Sequence, residues 1–214
     1  MVKLVVALPV REQRDVEKAR SIDADLVELR LDYMRDPSSF DFSSVFDIKD
    51  KLIITIRDVE EGGVNRISDE VKARLLKKLY EEEFVYDVEA RFLKRRPEVP
   101  FEGKIVSVHY FDRVPSYEEV QSLLAPFEKA WIRKIAVIGK EGYRELLVRF
   151  ARKGFAVMPM AVDPLERIAF SILGSELIYA NAGEATAPGQ MDYRRAKEIL
   201  RCLFSQPLYT PPSP

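Results

Sequence analysis

The chain has 214 residues, 47% of them hydrophobic, which is enough for a substantial core, and no apolar run long enough to cross a membrane as a helix. Basic and acidic residues nearly cancel, 34 against 35, so bulk charge points to neither nucleic acid nor an anionic membrane surface. One cysteine (Cys202) and one histidine (His109) exclude an internal disulfide, a cysteine-based metal cluster and a histidine-rich zinc site.

The N-terminal run Leu4–Leu8 continues into Pro9-Val10-Arg11-Glu12, without a signal peptide's long apolar region, so it reads as a first strand of a cytoplasmic protein. Further short apolar runs follow at Leu26–Leu31, Leu52–Ile56, Phe84–Glu89, Lys104–His109, Ile132–Val137, Phe155–Met160 and Glu176–Ala180. Between them lie segments of helical period, clearest at Ser68–Tyr80, Tyr117–Phe127, Gly142–Lys153 and Met191–Leu203. Ser116-x-x-Glu119 predicts a full capping box, whereas Ser68 followed by Val71 offers half of one. Eight strands, each followed by a helix or helical turn, predict an α/β protein, a single-domain (β/α)₈ TIM barrel over residues 1–206. An open doubly wound sheet is weakened by Pro9-Val10-Arg11, which stands where a glycine-rich phosphate loop would follow the first strand. Glu61-Gly62-Gly63 and Glu184–Gly189 read as loops at strand ends, and 207–214 as a proline-rich, dispensable tail. The 32% charged content, with two Asn and four Gln, resembles that of heat-stable proteins.

Side-chain parity carries the functional signal. A lone histidine is by default a packed core residue. Parallel-barrel strands, however, are buried on both faces and should be apolar throughout. Here Glu28, Arg30 and Asp32 share a face opposite Val27, Leu29 and Leu31; Thr55 and Arg57 oppose Leu52, Ile54 and Ile56. Asp87 and Glu89 oppose Phe84, Tyr86 and Val88, and Ser107 and His109 oppose Val106 and Val108. The apolar faces suit the surrounding helices, so the charges point into the barrel, where they survive only when paired or hydrogen-bonded. Arg30, Arg57, Glu89 and His109 fall at carboxyl ends of strands, the end where such barrels carry their sites. On the sixth strand, adjacent Arg133 and Lys134 face opposite ways, so one basic residue points inward unless the strand begins after both. A desolvated lysine is a usable amine nucleophile, and a nearby histidine a base for the carbon beside the resulting imine.

At these residues the chain resembles the type I 3-dehydroquinate dehydratases. Glu28-Leu29-Arg30-x-Asp32, Arg57-x-x-x-Glu61-Gly62-Gly63, Asp87-Val88-Glu89, Ser107-Val108-His109-Tyr110-Phe111, Lys134-Ile135-Ala136, Arg167 and Ala187-Pro188-Gly189-Gln190 match its motifs in order. The resemblance implies a shikimate-pathway lyase in which Lys134 forms an imine with 3-dehydroquinate and His109 moves the protons. Glu61 would orient His109 and raise its basicity; Arg167 would clamp the substrate carboxylate. Glu28, Arg30, Arg57, Thr186 and Gln190 would bind substrate hydroxyls and set the field around the lysine. No metal or organic cofactor is implied, because the imine serves as the electron sink. Members often form dimers, which makes Phe204–Leu208 a candidate interface of a homodimer.

Two departures stand out. Ala161–Glu166 lacks the family's glycines and serine, leaving the pose of Arg167 open, and Thr186 replaces the usual serine. Two rival readings use the same residues: a class I aldolase, and a non-catalytic protein binding small carboxylates. The first is disfavoured by the lack of a glycine-rich phosphate site after strands seven and eight; the second has no use for a nucleophilic lysine.

Overall fold

A computed structural model describes residues 2–204. Its strands are β1 Lys3–Pro9, β2 Leu26–Arg30, β3 Leu52–Thr55, β4 Val85–Glu89, β5 Ile105–Tyr110, β6 Ile132–Ile138, β7 Phe155–Met160 and β8 Leu177–Asn181. All pair in parallel, in the order β7-β6-β5-β4-β3-β2-β1-β8. The helices are α1 Glu17–Ser21, α2 Asp69–Glu81, α3 Ala90–Arg95, α4 Tyr117–Leu124, α5 Tyr143–Phe150, α6 Leu165–Ile172 and α7 Tyr193–Phe204. The sheet curls into the expected barrel, and its two ends meet across a seam. There Glu176 N–H donates to the Phe155 carbonyl (2.9 Å) and Val157 N–H to Ser175 Oγ (3.0 Å), but no ladder runs between β7 and β8. Pro159 explains part of this: it faces the seam and has no N–H to give.

Every predicted strand is present to within about two residues, because each apolar outer face demands a helix to cover it. The connections differ more. The β2–β3 crossover has 3₁₀ segments, chiefly Phe42–Lys51, in place of an α-helix. Predicted helix Tyr117–Phe127 divides into α4 and a 3₁₀ turn at Ala125–Phe127, where Pro126 lacks the N–H an α-helix would use. Ser116 caps α4 by accepting from Glu119 N–H, but the box stays half-made, since the Glu119 carboxylate pairs with Arg113 (2.7 Å). Of the candidate interface Phe204–Leu208 only Phe204 is described, and the proline-rich tail lies outside the described residues. Among the described residues no helix is long and apolar enough to cross a membrane.

The barrel interior is layered. Val5, Leu26, Ile53, Ile105, Ile132 and Leu177 fill its amino-terminal half with hydrocarbon. The charged faces of β2 to β6 stand on that floor, so their ion pairs act across a medium that screens them weakly.

Candidate active site

A pocket opens at the carboxyl ends of the strands. All nine residues singled out from the sequence line it. Lys134 is the basic residue of the β6 pair that points inward; Arg133 turns out, over the ring of Phe155.

The base of the site is a network of ion pairs. Asp87, fully buried, pairs with both Lys134 and Arg57 and accepts from Ser107 Oγ (2.5 Å). Arg57 continues to Glu89 (2.9 Å) and Ser107 (2.7 Å), and Glu89 reaches back through the sheet to buried Lys72. The strand register sets this up: Ser107 lies beside Glu89 on one flank and Lys134 on the other. The two cations hold the Asp87 carboxyl well below its ordinary range despite complete burial. Lys134 Nζ also lies 3.9 Å from Glu28 and 4.3 Å from the centre of the Tyr179 ring. Glu28 in turn accepts from Thr55 Oγ1 (2.8 Å).

Above this base stands the Glu61–His109 pair. Glu61 Oε2 accepts the backbone N–H of His109 at 2.8 Å and faces its Nδ1 at 3.0 Å. With Glu61 ionised, that contact puts the proton of neutral His109 on Nδ1 and leaves the Nε2 lone pair free. Two glycines bring Glu61 here. Gly62 has φ +89°, and a Cβ on it would meet the Phe111 ring at 2.5 Å. A Cβ on Gly63 would lie 2.0 Å from the Arg57 carbonyl oxygen. Only a side-chain-free turn permits both approaches. Burial and the nearby Glu89 charge push the Glu61 carboxyl up to about 7, against the pull of Arg91. Burial, Arg57 and Lys134 hold the imidazole well below its ordinary value. The expected rise in His109 basicity is thus outweighed by two neighbouring cations and lost solvation.

The remaining residues divide by how many donors they have left. Arg30 gives a fork to Asp32 (2.7 and 2.8 Å) and further bonds to the carbonyls of Gly62 and Thr186, tying two loops to β2. Gln190 Oε1 accepts the backbone N–H of Thr186 (2.7 Å), which shapes the closing loop. Arg167, on α6, donates to the carbonyls of Pro159 (3.1 Å), Tyr179 (3.3 Å) and Pro188 (2.7 Å). Among the described residues it has no carboxylate partner, and burial alone pulls its guanidinium down to about 10. The atypical loop before it is accommodated simply: Ala161 takes a left-handed turn (φ 55°), Val162 packs against Gly139, and Pro164 precedes the first turn of α6. Among the described residues no group of three or more His, Cys, Asp and Glu side chains is placed to hold a metal ion.

The profile of the type I 3-dehydroquinases matches residues 1–207. The chain belongs to this family. Two relatives named 3-dehydroquinate dehydratase lie well within reach of sequence comparison. That of Sulfolobus acidocaldarius is 51% identical over 209 residues (94% of this chain, 93% of the relative), and that of Metallosphaera sedula 47% identical over 203 residues (94% and 98%). Among solved structures, the type I 3-dehydroquinate dehydratase of Clostridium difficile superposes with a TM-score of 0.75 at 22% identity, covering 97% of this chain and 94% of that one. This likeness speaks for the barrel, and family membership displaces the aldolase and non-catalytic readings.

Sequence reasoning about this 3-dehydroquinase left three contributors out of the site. Asp87 was legible as an inward acid, but its pairing with Lys134 was not. Tyr179 shares the inward parity of Leu177, and its hydroxyl is buried without a partner among the described residues. Arg91 lies beyond the strand, on α3, where no periodicity signals it.

Proposed function

We propose that the protein dehydrates 3-dehydroquinate to 3-dehydroshikimate through an imine on Lys134, with His109 as general base and acid. The family and its named relatives support the reaction. The observation that carries the reading is that one pocket holds an inward lysine, a carboxylate-backed histidine and a buried arginine without an anionic partner among the described residues.

Lys134 adds to the ring ketone and water leaves, giving the imine. His109, neutral in its surroundings, takes the proton from the neighbouring carbon through Nε2, and the electron pair moves into the imine to form an enamine. As the imidazolium forms, Glu61 on Nδ1 stabilises it. The enamine then expels the β-hydroxyl, which takes the proton from His109 and departs as water. A second water hydrolyses the imine, freeing Lys134 and the enone product. Arg167 fits the substrate carboxylate, for which a guanidinium fork is well shaped. Arg57 and Asp87 keep the lysine in place and its field fixed, while Glu28, Thr186 and Gln190 face the ring hydroxyls. The homodimer and the cytoplasmic setting belong to the same reading.

Borohydride reduction with 3-dehydroquinate, followed by peptide mass spectrometry, tests it. The expected result is a covalent adduct on Lys134, formed by the native protein and by His109→Ala, with turnover lost in the latter. Unmodified protein, or an adduct on another lysine, refutes the mechanism.

A further inference from the structure

Arg91 sits behind Glu61, on the side away from the substrate pocket. It is held at three points: its guanidinium donates to Glu61 Oε1 (2.7 Å) and to the His109 carbonyl (3.3 Å), and it lies over the Tyr110 ring, 4.6 Å from its centre. Its side chain is 36% exposed, on a second surface hollow that also borders Glu61 and His109. Glu61 therefore has one oxygen on the imidazole and the other on a cation open to solvent.

We infer that Arg91 is the positioning residue that keeps Glu61 ionised beside His109, and so sets the lower end of the pH range in which the pair works. The inference rests on the proposed base role of His109. The charged groups facing the pair are Glu89 and Asp87 on β4, Arg57 after β3, Arg30 on β2, Lys134 on β6 and Arg91 on α3. Of these, Glu89 opposes ionisation of Glu61; Arg91 favours it most, both as a charge and as a hydrogen-bond donor, and Arg57 adds a weaker pull as a charge. Burial works against the carboxylate too, and leaves it poised close to neutrality. A protonated Glu61 cannot stabilise an imidazolium. The pair acts only above the pH at which it takes up its proton, and the two groups titrate as one unit.

The fixed third contact argues against a mere surface ion pair. Stacked on Tyr110 and bound to a backbone carbonyl, the guanidinium is pre-ordered, so its side-chain entropy is already spent when it meets Glu61. Its partial exposure keeps the effect at the lower end of what an adjacent opposite charge does to a carboxyl, about one pH unit.

The test is the pH dependence of kcat in native protein, Arg91→Met and Arg91→Lys, alongside a ¹⁵N-imidazole titration; His109, as the one histidine, gives an unambiguous signal. In Arg91→Met the acid limb should move up by about one unit, an approximately tenfold loss near pH 6 that fades on the alkaline side. The imidazole titration should move with it, and Arg91→Lys should recover most of the displacement. A loss by the same factor at every pH, or an unmoved acid limb, overturns the assignment. Glu61→Gln separates the two levels. If it is inactive while the Arg91→Met profile stays put, the inference about Arg91 alone fails. If it turns over like native protein, the proposed pair fails and this inference with it.

Discussion

Replacing Arg167 by Met tests the contact proposed between its guanidinium and the substrate carboxylate. The guanidinium is 4% exposed and, among the described residues, bonded only to carbonyl groups, which leave its charge without a countercharge. Burial pulls the guanidinium down to about 10, which corresponds to unfavourable burial on the order of 3 kcal/mol. A substrate carboxylate in contact with it would offset most of that, so losing the pair should raise KM roughly a hundredfold, at about 1.4 kcal/mol per factor of ten. The effect on kcat should be much smaller, because the carboxylate is present in ground and transition states alike. Initial rates can be followed by the absorbance of the conjugated product, below the variant's melting temperature, since three carbonyls lose a donor at about 1 kcal/mol each. The 3-dehydroquinate methyl ester completes a double-mutant cycle: the ester should bind native protein and Arg167→Met alike. If the two changes raise KM additively, Arg167 does not hold the carboxylate and the reasoning is wrong.

Two further perturbations probe the charge network. Asp87→Asn leaves buried Arg57 and Lys134 without their shared anion, and should destabilise the fold by about 3–5 kcal/mol in denaturant titrations; a stability equal to native would mean the pairs contribute nothing. Glu61→Gln should do the reverse. With the carboxyl at about 7 in the fold against an ordinary 4.5, the folded state binds the extra proton between those values, so stability falls as pH rises through that window. Removing the charge should stabilise the protein by up to about 3 kcal/mol near pH 8, and hardly at all near pH 4, while abolishing turnover. Melting curves that shift equally at both pH values would contradict this.

How far the sequence carries differs between fold and site for a physical reason. Strand parity is local: Val27 and Leu29 against Glu28 and Arg30 need no partner to be read, and the same alternation on β3 to β5 sends Thr55, Asp87, Ser107 and His109 into one interior. That made the barrel, the inward lysine and the polar mouth legible. Where long side chains finally point is not local. Arg57 and Arg30 spend their donors within the protein, and Arg167 crosses from a helix to carbonyls on β7, β8 and the closing loop. Each outcome depends on neighbours brought together only by closure of the sheet. Arg91 is the extreme case, a residue on an ordinary short helix whose meaning comes entirely from Glu61, 30 positions earlier. The 3₁₀ crossover at Phe42–Lys51 escaped for another reason: its buried Phe42 and Val45 satisfy one helical turn as well as an α-helix would.

The seam between β7 and β8 gives Arg167 a second consequence. A complete ladder would hold the circumference shut whatever the pocket contained. Here Pro159 has no donor to give, and the strand ends are bridged by the guanidinium proposed to hold the substrate carboxylate. If Arg167 takes that role, occupancy and closure are thermodynamically linked: an anion that fixes the guanidinium also holds β7 to β8. In such a barrel the substrate would act in part as the last staple of the fold.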